Sequence, residues 1–299
     1  MPAVSDATAC LGFIGLGVMG EPICRNLALK SGTSLLAYDR DPAPLARLAP
    51  QGVRAAASVA ALAAQADIVF LSLPSGEVVA EIVRADGGLL AAARPGQIVV
   101  DLGTSPVDLT RQLAQEFASR GASFVDAPVA RTRAAAEAGT LSVMVGADAA
   151  IFDRLRPWLS TFASDLAHCG AVGCGQVVKI LNNMVLFETV IALSEAHAIG
   201  ARSGVDPQLL FATLAKGSAD SFALRNHGMK AIVPGQFPPR AFSVEYARKD
   251  LSYALRLAQE SAVDASGARN ADNCLRQAIE AGDGELYFPV VSRRIGRKH

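Results

Sequence analysis

The chain of 299 residues is poor in aromatic side chains, 6% with a single tryptophan, and carries no excess of either charge. Lys and Arg number 28, as do Asp and Glu, for a formal net charge of zero. A nucleic-acid-binding surface usually shows as a basic excess, so no nucleic-acid partner is expected. The basic cluster of Arg293, Arg294, Arg297 and Lys298 lies at the C-terminus and reads as a frayed end. Five cysteines, an odd number with no C-x-x-C, exclude a disulfide framework and suit a reducing cytoplasm. His168, Cys169 and Cys174 lie close in sequence, but their spacing fits no zinc pattern. They read as small buried thiols in a glycine-rich turn, and no metal is expected. No run of about 18 uninterrupted apolar residues occurs, as a membrane span would need. The most apolar region, Val177 to Ala201, is broken by Lys179, Asn182, Asn183, Glu188 and Glu195. The first ten residues lack the basic-then-apolar pattern of a secretory signal.

What is present is apolar bulk. Hydrophobic residues make up 51%, enough for a sizeable core, and the length suggests two domains. Residues 10–15, 34–38, 67–73, 97–102, 123–129 and 140–146 read as strands. Near-continuous apolar runs such as DIVFLSL (67–73) and QIVVDL (97–102) are typical of parallel strands covered on both faces. Helical patterns lie between them, at 59–65 and 108–120 for instance, and strand–helix alternation implies a doubly wound parallel sheet. After Gly175 strand signals fade and helical patterns dominate. The expected organisation is therefore an α/β Rossmann-type domain over 1–175 and an all-α domain over 176–299. The second begins with a long helix, Gln176 to Ala201, apolar almost all round and so expected to be buried.

The first strand runs into Gly15-Leu16-Gly17-Val18-Met19-Gly20, and a helix follows. This is G-x-G-x-x-G between strand and helix, the context that makes it a dinucleotide-binding signal. Gly15 permits the tight turn, Gly17 the close approach of a pyrophosphate, and Gly20 close helix–strand packing. The helix N-terminus then offers N–H groups to the phosphates. Asp39 follows the second strand, where a carboxylate accepts from ribose hydroxyls and repels a 2′-phosphate, favouring NAD. Arg40 leaves NADP open, because a guanidinium there can hold that phosphate.

Six blocks in order, spread over residues 10 to 255, resemble the β-hydroxyacid dehydrogenase family, which includes 3-hydroxyisobutyrate dehydrogenase. They are GFIGLGVMG (12–20) with Asn26-Leu27, LSLPSGEVV (71–79), DLGTSP (101–106), DAPVARTRAAAEAGTL (126–141), GCGQVVKILNN (173–183) and Lys249-Asp250-Leu251. The resemblance implies an NAD(P)-dependent oxidoreductase acting on a short hydroxy acid, assembled as a homodimer or homotetramer. It implies that Leu73 and Pro74 lie beside the nicotinamide half of the cofactor, that Thr104 approaches its ribose, and that Lys249 lies over nicotinamide or substrate.

Lys179 and Asn183 are four apart on a predicted helix and so share one face. On an apolar helix both are costly unless partnered or functional, and desolvation lowers a lysine toward the range a general acid–base needs. Within the family Lys179 would take the hydroxyl proton, Asn183 would hold a substrate oxygen, and Asn182 would support it. The family often has Ser-Gly-Gly after D-A-P-V; here Ala130, Arg131 and Thr132 stand, followed by Arg133. Arg can clamp a carboxylate or sulfonate through two parallel bonds, and this variant resembles the sulfolactaldehyde and 4-hydroxybutyrate reductase branch. The expected ligand is a small anion. An imine reductase on the same scaffold usually lacks the lysine, and a non-catalytic dehydrogenase-like module usually loses it.

Overall fold

The structure, a computed structural model, describes residues 9–239 and 241–295. The chain divides into two compact units, Met1–Lys179 and Ile180–His299. The first alternates β1 (Leu11–Ile14), α1 (Gly20–Ser31), β2 (Leu35–Tyr38), α2 (Pro42–Leu48), β3 (Val53–Ala55), α3 (Val59–Gln65), β4 (Ile68–Leu71), α4 (Gly76–Arg84), β5 (Ile98–Asp101), α5 (Val107–Ala118) and β6 (Ser123–Asp126). Then come β7 (Val129–Ala130), α6 (Arg133–Ala138), β8 (Leu141–Gly146), α7 (Ala149–Leu159) and β9 (Ala163–Gly170). Helix α8 (Cys174–Arg202) runs through the point of division.

The sheet order is β3-β2-β1-β4-β5-β6-β8-β7, with β9 paired to β8. Strands β1 to β6 are parallel. The order reverses between β1 and β4, and in such sheets the crevice at the carboxyl ends beside the reversal is where ligands bind. The continuous apolar runs are explained by two-sided burial. Ile68 and Phe70 of β4 join Phe13, Ile23, Leu27 and Trp158 on one face. Val69 and Leu71 join Leu62, Leu113, Phe117 and Phe124 on the other. Each such fully buried side chain contributes roughly 1.5–3 kcal/mol.

Two expectations about the sheet need correction. It is mostly, not wholly, parallel, because β8 runs antiparallel to β6 and β7. Residues 123–129 are not one strand either. The ladder stops at Asp126 and resumes at Val129, with Pro128, which has no N–H, between them. The segment read as a glycine-rich turn begins with the end of β9, which among the described residues pairs only with β8 and is largely exposed, so it lacks a buried strand's apolar pattern. There the His168 ring stacks on Phe152 at 4.8 Å, and its Nε2 lies 2.7 Å from the Ala147 carbonyl. Cys169 and Cys174 are half-buried, not buried.

The second unit comprises the rest of α8, α9 (Pro207–Leu214), a π-helical segment (Leu224–Ile232), α10 (Val244–Glu260), α11 (Ser266–Glu280) and a 3-10 turn (Phe288–Arg293). Ile180, Asn183, Phe187, Val190, Ile191 and Ser194 form the buried stripe of α8. Phe187 packs on Phe242 and Phe288, with ring centroids 5.8 and 5.3 Å apart. The expectation of a helix buried all round fails. Leu181, Val185 and Ile199 are 39%, 58% and 65% exposed. Among the described residues, α8 is the one helix long and apolar enough, by length and composition alone, to cross a membrane. Arg293 and Arg294 are not frayed. Arg294 pairs with Asp283 at 3.0 Å, and Arg293 lies over the Phe237 ring. Arg297, Lys298 and residues 1–8 lie outside the described residues.

Candidate functional site

The glycine loop joins β1 to α1 at the reversal of strand order. Gly15 has φ +92°, and a Cβ there would sit 2.3 Å from the Ser72 carbonyl oxygen. A Cβ on Gly20 would sit 2.0 Å from the Gly15 carbonyl oxygen. The fold itself therefore demands both glycines. Around Gly17 there is open space within 4 Å. No packing forbids a side chain at Gly17, and the space it leaves fits a phosphate group approaching the backbone. Leu16 is buried and its N–H donates to Asp39 Oδ2 at 2.5 Å, while Asp39 Oδ1 accepts the Asp41 N–H at 2.8 Å. The Asp39 carboxylate thus touches the glycine loop directly. Val18 is exposed, Met19 half-buried against the core, and Arg40 exposed. Leu73 reaches toward Gly15, its Cδ2 lying 3.1 Å from the position a Cβ would take there, and Pro74 next to it is exposed. Gly15, Leu16, Asp39 and Leu73 converge on one end of the sheet.

The loop after β5 holds Thr104, which is buried. Asp101 secures this loop: its Oδ1 accepts the Gly103 N–H at 2.9 Å, and its Oδ2 accepts the Ser105 hydroxyl at 2.6 Å. Gln176 holds it from the other side, with Oε1 accepting the Ser105 N–H at 3.1 Å and Nε2 donating to the Gly103 carbonyl at 2.9 Å. Asp126, at the end of β6, accepts the Gly173 and Gln176 N–H groups, both at 2.7 Å, and so caps the start of α8. Burial pushes the Asp126 carboxyl up to about 6, outweighing the backbone N–H groups that pull it down. A carboxyl raised on folding stabilises below its ordinary value near 4, and that contribution is lost as pH rises through about 6. Melting curves of the wild type and Asp126→Asn across pH 4 to 7 are expected to show the wild type losing ground as pH rises. A pH-independent difference would contradict this.

Sequence reasoning did not single out Asp101, Asp126 or Gln176. The available signal was polarity. Each is a polar residue in or just after an apolar run, and each is fully buried.

Ala130 pairs with Ser142, and after it Arg131 adopts φ +85°. This left-handed backbone favours glycine and costs other residues roughly 1–2 kcal/mol. Arg131 Nη1 donates to the Thr140 carbonyl at 2.6 Å and to Ser164 Oγ at 2.9 Å. Thr132 Oγ1 accepts the Ala135 N–H at 3.4 Å and caps α6. Arg133 pairs with Glu137 at 2.9 Å. Asn26 of the N-terminal signature donates to the Ala136 carbonyl at 2.9 Å, tying α1 to the helix that follows this loop.

Lys179 is half-buried on α8, one turn beyond Gln176. In the second unit Asn183 is buried and Asn182 exposed. Asn183 Nδ2 donates to Asp250 Oδ2 at 2.7 Å, and its Oδ1 accepts from Asn182 Nδ2 at 3.1 Å. Lys249 Nζ lies 3.0 Å from Asp250 Oδ1 and 3.9 Å from the centroid of the Tyr246 ring. Asn182, Asn183 and Lys249 thus form one polar group around Asp250.

The family model described as the NAD binding domain of 6-phosphogluconate dehydrogenase matches residues 10–173. That described as NAD-binding of NADP-dependent 3-hydroxyisobutyrate dehydrogenase matches 173–289. The chain is 37% identical to 2-(hydroxymethyl)glutarate dehydrogenase of Eubacterium barkeri, over 85% of this chain and 83% of that one. It is 36% identical to 3-hydroxyisobutyrate dehydrogenase of Pseudomonas aeruginosa, over 95% and 97%. The solved structure of Mycobacterium tuberculosis 3-hydroxyisobutyrate dehydrogenase with L-serine superposes with a TM-score of 0.87 at 31% identity, covering 97% of this chain and 100% of that one.

Proposed function

The chain belongs to the β-hydroxyacid dehydrogenase family, and from that premise we propose that Lys179 is its general acid–base. It is an NAD(P)-dependent oxidoreductase that interconverts a hydroxy acid and its semialdehyde. The observation that carries the residue assignment is the anchoring of the first turn of α8, one turn before Lys179, to the loop bearing Thr104. A bound nicotinamide would supply the hydride acceptor or donor. Gly15 to Gly20 receive the pyrophosphate on the backbone and helix N-terminus, Asp39 the adenosine ribose, and Leu73, Pro74 and Thr104 the nicotinamide half. Lys179 Nζ takes the hydroxyl proton during oxidation and returns it to the forming alkoxide during reduction. Asn183, oriented by Asp250 and Asn182, is assigned to a substrate oxygen, and Lys249 to the nicotinamide or substrate. The substrate is a short hydroxy acid whose anionic end meets the loop of Ala130, Arg131 and Thr132. The test is to follow NAD(P)H absorbance with a panel of short hydroxy acids and semialdehydes. Tight cofactor binding without turnover of any of them would overturn the assignment.

NAD is preferred over NADP in this reading, because the Asp39 carboxylate would meet a 2′-phosphate as a like charge. Asp39→Asn keeps one acceptor for the Leu16 N–H and removes the charge. It is expected to move the preference toward NADP roughly tenfold or more, the size of a like-charge contact near a surface. A wild type that already prefers NADP would mean that Arg40 dominates.

A second copy of the chain is the occupant we assign to the exposed apolar side of α8, giving a homodimer or homotetramer. The five free cysteines suit a reducing cytoplasm. Light scattering is expected to find an oligomer that Val185→Glu weakens. A monomeric wild type at micromolar concentration would refute it.

A further inference from the structure

Gln176 is fully buried in the first turn of α8, three residues before Lys179. Both ends of its amide are used, and both go to the same loop. The residues it grips, Gly103 and Ser105, straddle Thr104. The helix end that carries it is fixed in turn by Asp126, through the N–H groups of Gly173 and of Gln176 itself. Packing leaves no slack there. A Cβ on Gly175 would sit 2.3 Å from the Met144 carbonyl oxygen, and one on Gly146 would sit 2.4 Å from Asp126 Oδ1. A buried amide is costly unless both its donor and acceptor are satisfied. An apolar side chain would pack a helix against a loop without that cost. What the amide adds is one fixed register between the helix bearing Lys179 and the loop bearing Thr104.

Resting on the reading of Lys179 as acid–base and Thr104 as a nicotinamide-side contact, we infer that Gln176 is a positioning residue that sets the reach of Lys179 against the cofactor-binding loop. Ser105 presents an N–H and Gly103 a carbonyl. Only a group that accepts at one atom and donates at the other completes the bridge. An amide does so, and so does a protonated carboxylic acid. A carboxylate or a thioether does not.

The experiment uses the full chain as Gln176→Met, Gln176→Glu, Lys179→Ala and the Lys179→Ala/Gln176→Met double variant. Turnover is followed with NADH and with NADH deuterated at C4, NADH affinity by fluorescence, and folding by melting temperature. Gln176→Met is expected to lose about 10- to 100-fold in kcat, the scale of a misplacement of about 1 Å. NADH affinity should stay within about threefold, and the deuterium isotope effect should grow as hydride transfer becomes limiting. Gln176→Glu is expected to be as poor at pH 8 and to recover relative to wild type as pH falls and the new carboxyl protonates. Asp101 and Asp126 raise that titration and Lys179 and Arg111 lower it; Arg111 Nε lies 2.9 Å from where a Cβ on Gly173 would be.

A loss below threefold in Gln176→Met, or a Gln176→Glu deficit that does not change with pH, overturns the inference. If Gln176→Met does not fold, the Gln176→Glu pH series decides. Lys179→Ala separates the two failures. Retention of more than half of kcat removes Lys179 from the mechanism. A large loss in Lys179→Ala, with Gln176→Met costing the same factor in both backgrounds, leaves Lys179 in place and shows that Gln176 does not act through it. A smaller cost of Gln176→Met in the Lys179→Ala background supports the inference.

Discussion

Lys179→Ala is expected to lower kcat by about two to four orders of magnitude, the range for loss of a positioned general acid–base. NAD affinity should stay nearly intact. The two effects separate because the residues assigned to the pyrophosphate and adenosine lie elsewhere in the chain, Gly15 to Gly20 in the turn from β1 into α1 and Asp39 just after β2, whereas Lys179 belongs to α8. Alanine is a strong helix former, so the substitution does not disturb the helix. The first turn of α8 stays held by Asp126 and Gln176. The residual activity reports what cofactor orientation and substrate binding supply without proton transfer. Steady-state kinetics in both directions, with NAD binding by fluorescence titration, measure it. A variant retaining more than half of wild-type kcat would place the proton transfer on another group.

Much of the first unit was legible because its physics is local. Apolar runs bounded by turns gave most of the parallel strands, and α3 lies at the predicted 59–65. The glycine spacing marked the tight turn from β1 into α1, where a Cβ on Gly20 would meet the Gly15 carbonyl five residues back, whereas a Cβ on Gly15 would meet the distant Ser72 carbonyl just after β4. What sequence did not reveal depends on distant partners. The reversed direction of β8 leaves no mark in its apolar alternation, and β9 is exposed on the sheet's edge. The bond from Asn183 to Asp250 spans 67 positions, and the bond from Gln176 to Gly103 spans 73. Composition gives no sign of either. Arg131 is the instructive middle case. Its departure from glycine was visible, but the positive φ that makes glycine the natural occupant was not.

Loss of the Arg131 guanidinium is expected to cost on the order of 10- to 100-fold in kcat/KM for an anionic substrate and little for a neutral alcohol of the same length. A charge-assisted contact to a desolvated anion is worth roughly 1.5–3 kcal/mol, which sets that range. The structure divides the side chain into two parts. Nη1 is committed to the Thr140 carbonyl and Ser164 Oγ, which leaves Nε and Nη2 for the anion. The backbone, at φ +85°, adds a separate contribution that substitution can isolate. Arg131→Ala removes the guanidinium and keeps the strain, whereas Arg131→Gly removes the guanidinium and relieves roughly 1–2 kcal/mol of it. Arg131→Lys keeps the charge without the planar fork and should recover part of the loss. If the guanidinium reads the anion, the alanine and glycine variants should show similar penalties, confined to anionic substrates, with glycine the more thermally stable of the two. If it mainly shapes the loop through Thr140 and Ser164, both variants should be impaired equally for anionic and neutral substrates. That second pattern would withdraw the carboxylate-or-sulfonate assignment and leave Arg131 as a strut between β7, β8 and β9.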